Sequence, residues 1–192
     1  MEKGVTILEA AKKVDIEIPT LCHHQGLEPY GACRICIVEI IKKSGRSQTV
    51  AACSFPVVEG LKIKTRSPKI DKIRRTILEL ASASAGENVG KLRAMASEYN
   101  ADLSRFRSII TVEPTKCILC GICVRRCIEA NGDGAIGFIS RGINRRIVRF
   151  PENDKLCSNC NYCYKSCPTG RITSTYTSPR FPYIGDVFAG RK

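Results

Sequence analysis

Cys117-Ile118-Leu119-Cys120-Gly121-Ile122-Cys123-Val124-Arg125-Arg126-Cys127 and Cys157-Ser158-Asn159-Cys160-Asn161-Tyr162-Cys163-Tyr164-Lys165-Ser166-Cys167 share one spacing, C-x2-C-x2-C-x3-C, and Pro168 closes the second copy. Three cysteines two apart can wrap a loop around one 4Fe–4S cubane, with backbone N–H groups turned toward its sulfides. The fourth cysteine, three residues on, falls on the short helix that follows and faces away from that loop. An earlier group, Cys22, Cys33, Cys36 and Cys53, brings the total to twelve cysteines with none left over. Its spacing, C-x10-C-x2-C-x16-C, suits a 2Fe–2S centre, although its first gap exceeds that of the plant-type pattern. Gly26, Gly31 and Ala32 are small enough for backbone to approach a cluster closely. His23 and His24 adjoin Cys22, but four cysteines already complete the site, so both histidines are expected to support it or lie at the surface. A small chain with three redox centres and little else reads as a conductor of electrons.

Composition narrows the class further. The chain has 192 residues, 43% of them hydrophobic, with no Trp and only 6% aromatics, so each lobe can bury few large side chains. Metal–thiolate bonds add folding free energy that such lobes would otherwise lack. The formal charge is +13; twelve thiolates and three cores of roughly +2 each reduce it to about +7 in the loaded protein. The remainder suits solvated basic faces, or steering toward an acidic partner or nucleic acid. No secretory signal opens the sequence and no run approaches a membrane-spanning length, which predicts a cytoplasmic protein without a transmembrane segment. In a reducing cytosol, metal thiolates are the expected state of these cysteines rather than disulfides.

The elements expected around the cysteines are short, giving an α+β fold. Thr6-x-x-Glu9 is a capping box that opens a helix over 6–13, with Ile7, Ala10, Ala11 and Val14 inward. Strands are predicted over Ile35 to Ile41, Gln48 to Cys53 and Leu61 to Thr65. Ser67-Pro68 starts a helix whose apolar stripe is Ile70, Ile73, Ile77, Leu80 and Ala81. A second helix follows over Val89 to Tyr99, with Leu92, Met95, Ala96 and Tyr99 inward. Gly132, Gly134, Gly137 and Gly142 mark a turn-rich insert, and Arg146 to Phe150 a strand. The expected division is a 2Fe–2S lobe over 1–67, a helical connector over 68–108, a two-cluster lobe over 109–175 and an extended tail over 176–192.

The duplicated spacing resembles bacterial two-cluster ferredoxins, in which the fourth cysteine of each run ligates the other cluster. That resemblance implies one 4Fe–4S site of Cys117, Cys120, Cys123 and Cys167, and a second of Cys127, Cys157, Cys160 and Cys163. Ile118, Ile122, Ile128, Ile136 and Ile172 are the apolar residues expected around them. Structural zinc is the rival, but zinc ribbons use two separated cysteine pairs.

Thr6-Ile7-Leu8-Glu9-Ala10, Pro19-Thr20-Leu21-Cys22 and Pro29-Tyr30-Gly31-Ala32-Cys33-Arg34-Ile35-Cys36 resemble the start of a known family, as do Cys117-Ile118-Leu119-Cys120-Gly121-Ile122-Cys123 and Gly134-Ala135-Ile136-Gly137-Phe138. The chain is similar to the electron-transfer subunit of NAD-linked hydrogenase diaphorases, to the N-terminal region of iron-only hydrogenases and to the large iron–sulfur subunit of complex I. The resemblance implies a plant-type, β-grasp ferredoxin-like lobe, a bacterial ferredoxin-like lobe and a hetero-oligomer. It also implies a flavin-containing, NADH-oxidising partner, and a catalytic redox subunit of hydrogenase or formate dehydrogenase type, or another acceptor, bifurcating assemblies among them. Two departures stand out. Relatives carry a further cluster held by one histidine and three cysteines, but Ala85 stands near the histidine's place and the cysteine loop is absent, so no middle cluster is expected. The β-hairpin that precedes the Thr6 helix in relatives is nearly missing, so either the start is truncated or the lobe has an open sheet edge; coverage of that edge by another subunit is the expected reading.

No dinucleotide fingerprint follows a strand, and no nucleophile–base pair is evident. The expected role is electron transfer without catalysis by this chain alone. The alternatives are a basic iron–sulfur protein binding nucleic acid through stretches such as Arg141 to Arg149, and a zinc-stapled scaffold.

Overall fold

The computed structural model describes residues 4–110, 115–132, 134–150, 152, 160 and 162–172. Cys157 and the expected tail, 176–192, lie outside the described residues.

The chain is a mixed α+β fold. Helix α1 spans Ile7–Lys12, and its capping box is complete: Thr6 N–H donates to Glu9 Oε2 at 2.7 Å, and the Glu9 N–H donates to Thr6 Oγ1 at 3.3 Å. Val14, expected inward, is exposed because the helix stops at Lys12 and the chain turns away. Strands β1 (Ile37–Ile41), β2 (Ser47–Ala51) and β3 (Lys62–Lys64) form an antiparallel sheet in the order β2-β1-β3. The registers are Glu39 opposite Thr49 and Glu39 opposite Lys64. Val38 and Ile40 face Ile7, Leu8, Ala11 and Ile18 in the first core. Before α1, Val57 N–H donates to the Val5 carbonyl at 2.9 Å and Thr6 bridges Pro56.

Helix α2 (Pro68–Ala85) begins at its expected cap, where Ser67 Oγ accepts from the Ile70 N–H at 3.2 Å. The same hydroxyl donates to Glu39 Oε2 at 2.8 Å, and Lys69 Nζ lies 3.1 Å from Glu39 Oε1. Glu39, the one acid in β1, thus pins the start of α2 to the sheet and keeps both its oxygens paired.

The buried face of α2 differs from the expected stripe. It consists of Ile70, Arg74, Leu78, Glu79, Ser82, Ala83 and Ala85, while Leu80 is exposed. The reason is that two charged side chains find partners inside. Arg74 donates to the carbonyls of Ile35 (3.2 Å) and Ile37 (2.9 Å) and to Tyr99 Oη (3.1 Å). Glu79 accepts from Asp102 N–H at 3.2 Å and Arg105 Nη1 at 2.8 Å. A buried polar group with its partners in place costs little, so periodicity of apolar residues alone misplaces the face.

Helix α3 (Gly90–Tyr99) ends at Asn100, whose φ of 50° is left-handed. Leu92 and Tyr99 of α3 join Leu78, Ala85 and Val89 against Leu21 and Ile35, which flank the first cysteine loop. Helix α4 (Ile122–Asn131) carries Cys123 and Cys127. After it come β4 (Ile136–Ile139) and β5 (Arg146–Arg149), paired with Ile136 opposite Arg149. The glycine-rich insert therefore contains a strand. Gly137 lies within β4 because an added Cβ would stand 2.7 Å from the Phe150 ring. Of the arginine stretch, Arg149 is buried and Arg145 lies 4.0 Å over the Phe138 ring, so the stretch does not face solvent as one strip. Among the described residues, no helix is long and apolar enough to cross a membrane.

Candidate iron–sulfur sites

The first site is a loop folded over the start of β1. Cys22, Cys36 and Cys53 are buried and Cys33 is half-buried. The sulfurs approach as two pairs. Cys33 N–H donates to Cys22 Sγ at 3.4 Å, and the two thiols are within hydrogen-bonding reach of each other; Cys36 and Cys53 form the second such pair. The hydrogen bond from Cys33 holds the Cys22 thiol down to about 6, while Cys33 itself is raised by that bond and by burial. Likewise the bond from Cys36 lowers Cys53 to about 7, and Cys36 is raised. Two pairs of thiols suit a rhombic core, in which each of two irons takes two thiolates.

Backbone geometry around the cysteines is unusual in a consistent way. Arg34 (φ 58°), Lys116 (φ 57°) and Leu119 (φ 53°) are non-glycine residues in the left-handed region, and all three lie in or beside cysteine loops. Each such residue costs about 1–2 kcal/mol, and the gain is a chain that curls its N–H groups inward. Leu119 N–H accordingly donates to Cys117 Sγ at 3.4 Å.

In the second group, Cys117, Cys120, Cys123 and Cys167 line a single pocket, together with Ile122, Ile147, Ile172 and Arg171. Cys127 is not among its lining residues; it sits one helical turn after Cys123, where its sulfur accepts from Ala135 N–H at 3.0 Å. Burial pushes the Cys120 thiol up to about 11 and raises Cys117 and Cys123 as well. Thiolates buried without a cation are costly, and a metal held between them would remove that cost. Cys163 packs with Cys123 and Cys127 in the core of this lobe. None of the eleven described cysteines is in a disulfide. Among the described residues, no group of three or more His, Cys, Asp or Glu side chains is placed to hold a single metal ion.

Ile122, Ile136 and Ile172 are buried here as expected, whereas Ile128 is exposed because it lies on the solvent side of α4, beyond Cys127. The two described sites adjoin. Cys22, Cys120 and Ile122 form one buried cluster, edged by Leu27, Cys33 and Ile118. His24 contributes to the same seam: its Nδ1–H donates to the Gln25 carbonyl, which leaves Nε2 to accept from Ser166 Oγ at 3.1 Å, next to Cys167. Spacing alone did not single out Arg125 and Tyr30 on this seam. The visible signal was an arginine pair set between two cysteines, Cys123-Val124-Arg125-Arg126-Cys127.

Residues 1–68 match the family described as a 2Fe-2S iron-sulfur cluster binding domain. Over most of its length the chain is similar to a part of NAD(P)-linked oxidoreductase subunits. It is 30% identical to an NADH-quinone oxidoreductase subunit of Rhizobium meliloti over 95% of its length, and 36% identical to NADPH-Fe(3+) oxidoreductase subunit alpha of Geobacter sulfurreducens over 90%. It spans 23% and 22% of those two relatives. A crystal structure of an NAD+-reducing [NiFe]-hydrogenase in the H2-reduced state is similar at 27% identity and a TM-score of 0.61, covering 94% of this chain and 76% of that one.

Proposed function

We propose that this iron–sulfur region relays electrons through one 2Fe–2S and two 4Fe–4S clusters between a flavin-containing, NAD(P)H-oxidising subunit and a catalytic or acceptor subunit, in a cytoplasmic hetero-oligomer. In this reading Cys22, Cys33, Cys36 and Cys53 hold the 2Fe–2S centre, Cys117, Cys120, Cys123 and Cys167 one cubane, and Cys127, Cys157, Cys160 and Cys163 the other. The units are a β-grasp lobe over 1–67, the α2–α3 connector over 68–108 and a ferredoxin-like lobe over 109–175. The observation that carries the assignment is the pocket lined by Cys117, Cys120, Cys123 and Cys167, three sulfurs from one run and the fourth from the other. Bound there, the clusters supply reversible one-electron storage. The chain's own residues shield the site with isoleucines, aim N–H groups at the sulfurs and keep the first site against the second. The relatives' names connect such regions to NADH, NADPH and hydrogenase assemblies, which supports a dinucleotide-linked partner.

Anaerobic reconstitution tests this reading. The expected result is about ten iron atoms per chain, from one rhombic and two cubic cores, reduction by dithionite, and no NADH oxidation by the chain alone. Cys167→Ser should abolish the signal of the cubane held by the Cys117 run while sparing the other, and Cys127→Ser should do the reverse. About fourteen irons, a colourless zinc protein, or loss of the same cluster in both variants would each overturn the assignment.

A further inference from the structure

One side chain ties the first cysteine loop to the helix that carries the next group. Arg125 leaves α4 between Cys123 and Cys127 and crosses to the other lobe. Its Nη1 donates to the Glu28 carbonyl at 2.7 Å and its Nη2 to the Cys22 carbonyl at 3.0 Å. The guanidinium carbon lies 5.1 Å from the centre of the Tyr30 ring. Tyr30 in turn stands against Gly121, where an added Cβ would meet Tyr30 Cε1 at 3.3 Å.

The charge of Arg125 is not used up by these contacts. No carboxylate pairs with it among the described residues, and its Nε is buried without a hydrogen-bond partner. Its neighbour Arg126 is engaged differently, with Glu129 at 2.8 Å and over the Tyr162 ring. A part-buried cation without an acid beside it is unfavourable unless something negative lies close. Four thiolates around a rhombic core supply that charge, since their sum outweighs the core's.

We propose that Arg125 is a positioning residue that clamps the first cysteine loop onto α4 and, through its uncompensated charge, raises the reduction potential of the 2Fe–2S centre at the seam between the two sites. The inference rests on the cluster assignment above. Two separable effects follow. The charge favours the reduced centre, which carries one more electron, and the paired carbonyl bonds hold the spacing between the two sites.

The test is a redox titration of the reconstituted full chain with dithionite under argon, followed by electron paramagnetic resonance, with iron quantified in each sample. Arg125→Met removes charge and clamp. Its 2Fe–2S centre is expected to be at least tenfold harder to reduce, about 59 mV lower for a one-electron couple, and the magnetic interaction between the reduced centres should weaken. Arg125→Lys keeps the charge but cannot span both carbonyls. It should restore the potential to within about threefold in the reduction equilibrium constant while the weakened interaction persists. An iron-replete Met variant with wild-type potential overturns the role of the charge. Should the Met variant fail to load, the Lys variant decides: a wild-type magnetic interaction there overturns the clamp. A wild-type chain that takes up no iron fails at the earlier assignment and takes this inference with it.

Discussion

Arg74→Met should destabilise the chain by about 3 kcal/mol, and the arithmetic follows from the arginine's surroundings. The side chain is 1% exposed and bonds three acceptors: the carbonyls of Ile35 and Ile37 and the Tyr99 hydroxyl. Methionine fills similar space but donates nothing. Each buried carbonyl left without a donor costs about 2 kcal/mol. Relief of the arginine's own desolvation returns about 1 kcal/mol. For 192 residues, at about 2–4 °C per kcal/mol, the melting midpoint should fall by about 6–12 °C. The assay is anaerobic thermal unfolding of the loaded protein, followed by far-ultraviolet circular dichroism. Visible absorbance read in parallel should show iron release at the same lowered midpoint, because Ile35 and Ile37 flank Cys36. Arg74→Lys should fall between, since one ammonium cannot span all three acceptors. Tyr99→Phe should cost much less in the Met background than in the wild type. A drop below about 2 °C for Arg74→Met, with iron retained, would refute the reasoning.

Other outcomes follow from single contacts. Gly121→Ala should lose about 1–2 kcal/mol, because φ there is 74° and the new methyl would press on Tyr30 and Phe138; a thermal midpoint equal to wild type would show that the seam yields easily. Thr6→Ala should cost about 1 kcal/mol near neutral pH, read by the same melt. Glu9 lies below its ordinary 4.5 because the Thr6 backbone and hydroxyl hydrogen-bond it, so that stabilisation is complete above pH about 4.5 and is lost as pH falls through the lowered value. The difference between wild type and Thr6→Ala should therefore narrow in acid, where the Thr6 hydroxyl loses its bond to the carboxylate but still caps the Glu9 N–H, and a gap that widens there would contradict the capping box.

Much of the architecture was legible from local chemistry. Thr6 and Glu9, and Ser67 before Pro68, are caps whose hydrogen bonds involve neighbours in sequence, so three or four residues suffice to read them. The cysteine runs are legible for the same reason. Long-range partners were not. The carbonyls that Arg74 bonds come from the first residue of β1 and the loop before it, 37 and 39 positions earlier, and nothing in the helix announces them. Strand β4 was obscured by Gly137, which breaks the alternation of Ile136, Phe138 and Ile139 yet is required by Phe150. Ile128 read as part of the shell, but the rotation of α4 was set by Cys123, Val124 and Cys127 turning inward. Arg125 was visible only as charge, since its acceptors are main-chain oxygens 97 and 103 positions away.

Cys22 and Cys120 bury each other, with Ile122 completing the wall between them. Neither lobe therefore has a private interior at this point. With both sites loaded as proposed, an oxidant that stripped one metal group would open the other's thiols to attack, so damage should spread across the seam instead of stopping at it. Under the proposed assignment, maturation would meet the same constraint in reverse: filling one site would build part of the chamber that the next must occupy.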